Sequence, residues 1–298
     1  MRIIKNILIT SFLFSKFFVN SAVVSAQETL VISAIPDQNP ERLSRLYQLL
    51  SSELSTHLEV PVVYKPVTNY SAAVTAFRTG DLDLVWFGGL TGVQARLQKK
   101  GAIVIAQRDI DAEFHSVFIA STKSKIPIIK DISGLKLLAG KRFTFGSESS
   151  TSGRLMPQYF LKKAGVQLKD FKGGYPGFSG SHDATLALVQ SSSYEAGALN
   201  EQVWISNMKA NRIDTSKVIV IWRTPPYANY HWLAQPNLDN DFGEGFTEKI
   251  RKTLLSFNKD SSSQRKILSL FGAKSFISTS EEQYQEIEEI GREAGKIY

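Results

Sequence analysis

The sequence predicts an α/β chain made of two hinged units with a ligand cleft between them, on three observations. Strand-like and helix-like segments alternate from residue 29 to residue 99, the alternation restarts at residue 142, and three further helical stretches close the chain after the second run has ended. A second unit inserted into the first obliges the chain to cross between them twice, and two crossings make a hinge. At 298 residues with 43% hydrophobic content, there is material for two cores.

Taken in order, Thr29 to Ile35 alternates into an apolar strand, and the breaker-rich loop Pro36 to Pro40 leads to a helix with Leu43, Leu46, Tyr47, Leu50 and Leu54 on one face. Val60 to Pro66 is the second strand. Thr68-Asn69-Tyr70-Ser71 opens a helix that ends at Gly80, and Leu82 to Phe87 is a third strand before Gly88-Gly89 and a helix from Thr91 to Lys99. This order predicts a mostly parallel sheet covered on both faces, with ligand beyond the carboxyl ends of its strands. Gly88 and Gly89 allow close backbone approach there, although a plain tight turn needs them equally. Ala102 to Gln107 and His115 to Ser121 complete the first unit.

In the second unit a strand at Arg142 to Phe145 precedes a helix from Arg154 to Ala164. A helix then opens at Ser181-His182-Asp183, followed by a strand at Glu195 to Leu199, a helix at Asn200 to Ala210 and a strand at Val218 to Trp222. After Thr224-Pro225-Pro226 come a strand at Tyr230 to Ala234 and helices at 242–257, 262–271 and 281–296, which return to the first unit. The expected division is therefore a leader over 1–26, a first lobe over 27–120 and 226–298, and a second lobe over 121–225.

The leader is expected from Arg2 and Lys5, the apolar run Ile7 to Phe14 and the small-residue cleavage pattern Val24-Ser25-Ala26, so the mature chain would begin at Gln27 outside the cytoplasm. Without a single cysteine, disulfides, thiolate metal sites, a Cys nucleophile and a lipidated anchor are all excluded. The net charge of +7 falls to +4 without Arg2, Lys5 and Lys16, and its scattered residues give nucleic-acid binding little support. The four histidines lack the short spacing of a zinc pair. No cofactor is called for.

The chemistry gathers at Gly146-Ser147-Glu148-Ser149-Ser150-Thr151-Ser152-Gly153, where a strand hands over to a helix. The unpaired N–H groups of a helix start, its dipole and adjacent hydroxyls can converge on one oxyanion. A helix cap needs one hydroxyl, and Ser150, Thr151 and Ser152 supply three. Ser181 is a second cap, which puts His182 in a first helical turn where it can donate to an anion or serve as an ordinary helix residue. Neither a G-x-S-x-G elbow nor a phosphate loop nor a dinucleotide fingerprint occurs. Donors without a nucleophile favour binding over turnover; a secreted enzyme and a receptor-associated sensor on the same two-lobed plan are the alternatives.

Asn69-Tyr70 before a helix, Gly88 after the third strand, Ser150-Thr151-Ser152-Gly153, Ser181-His182-Asp183 and Glu195-Ala196-Gly197-Ala198 together resemble the phosphonate/phosphite-type substrate-binding proteins of ABC importers, over essentially the whole mature chain. Trp86-Phe87-Gly88-Gly89-Leu90-Thr91-Gly92 resembles a selenate-binding branch of that family. The resemblance implies a type II-like periplasmic binding protein, monomeric, that delivers a small oxyanion to a membrane permease. It implies ligand contacts from Tyr70, Ser150, Thr151, Ser152 and His182, and Gly88, Gly89, Thr91, Ser181 and Glu195 complete the expected ligand-binding set. Gly89 stands where many members have Pro, and Gly92 where Tyr is common. Glu195 and Asn200 lie near the position of an acidic residue that binds a substrate amino group, and aminoalkylphosphonate is not favoured. A donor-only pocket leads to the expectation that a dianion such as selenate binds better than aminoalkylphosphonates.

Overall fold

The computed structural model describes residues 28–298, so the expected leader Met1 to Ala26 lies outside the described residues. The first strands form as expected: β1 (Leu30–Ala34), β2 (Val62–Tyr64) and β3 (Leu84–Phe87) pair in parallel, with β1 in the middle. Helices α1 (Pro40–Leu58), α2 (Tyr70–Thr79) and α3 (Gly89–Gln98) alternate with them. Side chains set the first two starts: Asn39 accepts the Arg42 N–H with Pro40 at the first turn, and Asn69 accepts the Ala72 N–H.

The sheet is mixed rather than mostly parallel. Strand β10 (His231–Ala234) returns from the second unit, enters between β3 and β4 (Ile103–Arg108), and runs antiparallel to both. A short β11 (Phe276–Ile277) adds antiparallel to β4 at the edge, giving the order β11-β4-β10-β3-β1-β2. A buried apolar strand reads alike in either direction, which is why the sequence pattern did not register the reversal.

The second sheet has the order β7-β6-β8-β5-β9, with β5 (Ser116–Ser121), β6 (Phe143–Phe145), β7 (Gly177–Phe178), β8 (Ala196–Asn200) and β9 (Val218–Arg223). Because β5 pairs with β8 and β9, residues 116–121 sit in the second unit, and the boundary expected after residue 120 moves back to 109–115. The boundary expected at 225/226 falls inside the other crossover, 224–230. The two crossovers hold each other as a ribbon: Phe114 and Tyr227 exchange backbone hydrogen bonds of 2.8 and 3.0 Å, and the Asn229 N–H donates to the Asp111 carbonyl.

Helices α4 (Met156–Lys163), α5 (His182–Gln190) and α6 (Glu201–Lys209) cover the second sheet. The last segment holds α7 (Leu238–Phe242), α8 (Phe246–Leu255), α9 (Ser262–Phe271) and α10 (Gln285–Glu293). The single helix expected over 242–257 is broken because Gly243 and Gly245 adopt positive φ, 105° and 81°. No helix of the described residues is long and apolar enough to cross a membrane.

Candidate functional site

The carboxyl ends of β1, β3, β6, β7 and β8 all open onto the seam between the sheets, and the amino end of antiparallel β10 arrives there too. Each therefore delivers the residue that follows or begins it to one place: Asp37, Gly88, the serine cluster, His182, Asn200 and Tyr230. The lobes are closed on one another along this seam. The His182 N–H donates to the Asp37 carbonyl at 3.0 Å, the Leu90 N–H to Thr151 Oγ1 at 2.8 Å, and the Asn39 N–H to Asp183 Oδ2 at 2.8 Å.

Within the cluster the three hydroxyls have separate duties. Ser150 is the cap, accepting the Gly153 N–H at 2.9 Å. Thr151 bridges to the other lobe through Leu90. Ser152 Oγ has a long 3.5 Å approach to His182 Nε2 and faces the Tyr227 phenol, and it neither caps the helix nor bridges to the other lobe. The helix expected from Arg154 begins at Met156, since 151–155 is a wide π-helical turn closed by the Leu155 N–H donating to the Ser150 carbonyl. Such turns displace side chains from the helical ladder and are frequent at functional sites.

His182 is fully buried, and burial pushes its pKa down to about 4 despite nearby Asp183. It is neutral at pH 7. The Asn200 N–H can only donate, so the His182 Nδ1 it points to at 3.4 Å is the acceptor and Nε2 carries the proton. That N–H faces Ser152 and the Tyr230 hydroxyl, 3.3 Å away.

Tyr70 projects from the first turn of α2. Tyr70 is 2% exposed, and among the described residues its hydroxyl completes no hydrogen bond of normal geometry, with Ser150 of the opposite lobe facing it; burial keeps it a neutral donor. Asn229 is also fully buried; its Oδ1 holds the Gly89 N–H at 3.1 Å while its Nδ2 is unpartnered among the described residues.

The remaining expected site residues divide. Gly88 and Gly89 reach the seam, where a Cβ on Gly88 would lie 3.3 Å from Thr151 Oγ1. Thr91 turns away from it, its hydroxyl donating to the Gly88 carbonyl. Ser181 caps α5 by accepting the Ala184 N–H. Glu195 is not brought to the cluster: it precedes β8, at the strand end opposite Asn200, where it accepts the Arg142 N–H and pairs with Lys141. Nor is Gly92 an open space left by a lost aromatic, because a side chain there would run into the His231 ring.

Asp37 and Tyr230 are functional candidates that sequence reasoning missed. The Tyr230 hydroxyl donates to Asp37 Oδ2 at 2.9 Å and accepts from Asn200 Nδ2 at 3.0 Å. Burial pushes the Asp37 carboxyl up to about 6, against the Tyr230 hydrogen bond and the charge of Arg108. Below Tyr230, Trp86 stacks at 5.8 Å and the Arg108 guanidinium lies 4.9 Å from the ring centre. Arg108 in turn is clamped by both carboxylate oxygens of Asp111, at 2.5 and 2.7 Å. The only signal available in the sequence was position, a loop directly after the first strand.

The model of the ABC transporter, phosphonate, periplasmic substrate-binding protein family matches residues 32–284. The chain belongs to this family. Its similarity within the phosphonate-binding family is strong to a probable ABC transporter phosphite-binding protein, PhnD1, of Prochlorococcus marinus strain MIT 9301: 56% identity over 97% of this chain and 96% of that one. The structure of PhnD1 in complex with methylphosphonate superposes with a TM-score of 0.89, covering 90% of this chain and 99% of the other. The phosphonates-binding periplasmic protein of Escherichia coli K12 is 22% identical over 95% of this chain and 83% of its own length. This phosphonate-binding family member is thus an extracytoplasmic substrate-binding component of an ABC importer, with a permease as its membrane partner. Its close relatives are ligand-binding transporter components and not enzymes.

Proposed function

We propose that this chain captures phosphite or methylphosphonate, as a monomer in the periplasm after losing residues 1–26, with Tyr70, Ser150, Thr151, Ser152, His182 and Asn229 around the oxyanion. The observation that carries the proposal is that two buried donors, Tyr70 Oη and Asn229 Nδ2, are unpartnered among the described residues and stand beside the serine cluster of the other lobe. Leaving a buried donor unsatisfied costs ~1–3 kcal/mol, and such groups are rare unless a ligand or water completes them. An anion that takes hydrogen bonds from both lobes stabilises the closed state over the open one, and the closed state is what a permease can recognise. The likeness to PhnD1 supports the choice of phosphorus oxyanion.

The donor-only count behind the selenate expectation omitted Asp37. Asp37 places a buried carboxyl behind those donors, bonded to Tyr230, and the preference for a phosphorus oxyanion over selenate rests on the likeness to PhnD1. Glu195 at the far end of β8 cannot receive a substrate ammonium at this cluster. Calorimetry on the mature chain is therefore expected to show phosphite and methylphosphonate binding at least tenfold tighter than aminoalkylphosphonate, sulfate or selenate, a difference of about 1.4 kcal/mol. Selenate displacing phosphite on equal terms would overturn the proposal.

A further inference from the structure

We propose that Asp37 takes up a proton when the cleft closes on its anion, so that capture is coupled to protonation of a carboxyl that lies behind the ligand contacts and positions Tyr230. The inference rests on the oxyanion reading of the cleft given above.

The geometry leads there in three steps. Asp37 is 4% exposed and belongs to both lobes' closure: its carbonyl accepts the His182 N–H from across the seam, and its carboxylate accepts the hydroxyl of Tyr230. When the lobes part, the first of these bonds is lost and the carboxyl is no longer covered by His182 and Asn200.

In the closed cleft, no cation is dedicated to that carboxylate among the described residues. Arg108, from β4, lies close enough to act on it, but is already clamped by Asp111. Arg42, from α1, is drawn to Asp183 more than to Asp37. Asp183 of α5 adds a like charge, and Gln38 contributes one hydrogen bond. Tyr47, Tyr64 and Tyr70 face it as neutral phenols, and His182 is neutral. An ionised Asp37 thus relies on Tyr230, Gln38 and distant charge.

An anion held by Ser150 to Ser152 and Tyr70 brings a further negative charge into the same buried seam. Two like charges in low dielectric raise one group's affinity for a proton, and the carboxyl, already pushed up to about 6 by burial, is the group that takes it. The sign follows: a carboxyl pKa higher in the closed state than in the open one means that closure gains as pH falls through about 6 towards the ordinary carboxylate range, and that the bound anion lifts this window towards neutrality. The proton comes from solvent. Once on Asp37, it reverses the hydrogen bond to Tyr230: the acid O–H donates to the phenol oxygen, and the phenol O–H is released to turn towards Ser152 and the anion.

Calorimetry with methylphosphonate at about pH 6, in two buffers of different ionisation heat, counts the protons taken up per anion bound. Wild type is expected to take up close to one proton more than Asp37→Asn, which carries no titratable group there; the ligand's own titration is common to both and cancels. The wild-type affinity should also rise more steeply than that of the variant between pH 8 and 5. Equal proton uptake by the two proteins, with binding intact, would overturn the coupling and leave the oxyanion reading standing. Absence of binding by both would sink that reading and the coupling with it. If Asp37→Asn does not fold, Tyr230→Phe is the second test: loss of the hydroxyl that favours the ionised form should move the Asp37 carboxyl titration upward by carbon-13 NMR, and an unmoved or lowered titration would count against the coupling.

Discussion

Replacing Thr151 with valine is expected to weaken methylphosphonate binding by about two to four orders of magnitude, while the ligand-free chain unfolds at nearly the same denaturant concentration. The hydroxyl has two tasks that exist only in the closed state. It is proposed to serve the anion, where a hydrogen bond to a charged group is worth roughly 1.5–3 kcal/mol, and it accepts the Leu90 N–H across the seam. Removing it strands that buried amide at a further cost of ~1–3 kcal/mol. Together these losses of about 2.5–6 kcal/mol correspond to the stated fall in affinity. Ser152→Ala removes a hydroxyl that contacts His182 at a long 3.5 Å and faces the Tyr227 phenol but strands no backbone amide, so its expected loss is chiefly the anion bond, about tenfold to a hundredfold. Calorimetric affinities of Thr151→Val within threefold of wild type would show that the residue only packs.

Asp111→Ala is expected to be the most destabilising single change in the hinge, by roughly 3–5 kcal/mol, because it leaves the Arg108 guanidinium buried with its charge unpaired. Arg108 is 4% exposed; burial alone would lower its pKa, and the Asp111 carboxylate outweighs burial and holds it above its ordinary value. The guanidinium also donates to the Phe271 carbonyl at 2.7 Å and lies over the rings of Trp86, Phe114 and Tyr230, so its displacement disturbs both crossovers. The site is affected as well, since Asp111 Oδ1 accepts the Tyr230 N–H at 3.4 Å. Urea unfolding of the ligand-free chain measures the loss. The paired replacement Arg108→Met with Asp111→Leu should recover most of it, because removing both charges avoids the unpaired ion. A loss below about 1 kcal/mol for Asp111→Ala would mean that water reaches Arg108.

The parts of the fold that depend on local pattern were legible. Helix starts at Asn39, Asn69 and Ser181 follow from capping residues placed before apolar stripes, and the Ser150-Thr151-Ser152 cluster and His182 stand where strands hand over to helices. What was not legible depends on pairing between distant strands. Assignment of Ser116 to Ser121 to the second sheet, and the antiparallel entry of β10, require partners more than 70 residues away. The Asp37, Asn200, Asn229 and Tyr230 constellation is assembled by those pairings, because β10 carries Tyr230 to the carboxyl ends of β1 and β8. Glu195, just before β8, and Asn200, at its end, lie five residues apart, and only the direction of β8 decides which of them faces the cleft.

The central claim, that one oxyanion is held between the two lobes, is tested most directly by a crystal structure of the mature chain grown with methylphosphonate. The expected result is a single phosphorus centre at the seam, with Tyr70 Oη and Asn229 Nδ2 now hydrogen-bonded to its oxygens together with Ser152 Oγ and His182 Nε2. A ligand seated instead in the recess of ≈ 390 Å³ bordered by Arg42, Arg45 and Arg212, with the Tyr70 and Asn229 donors still unpartnered, would contradict it.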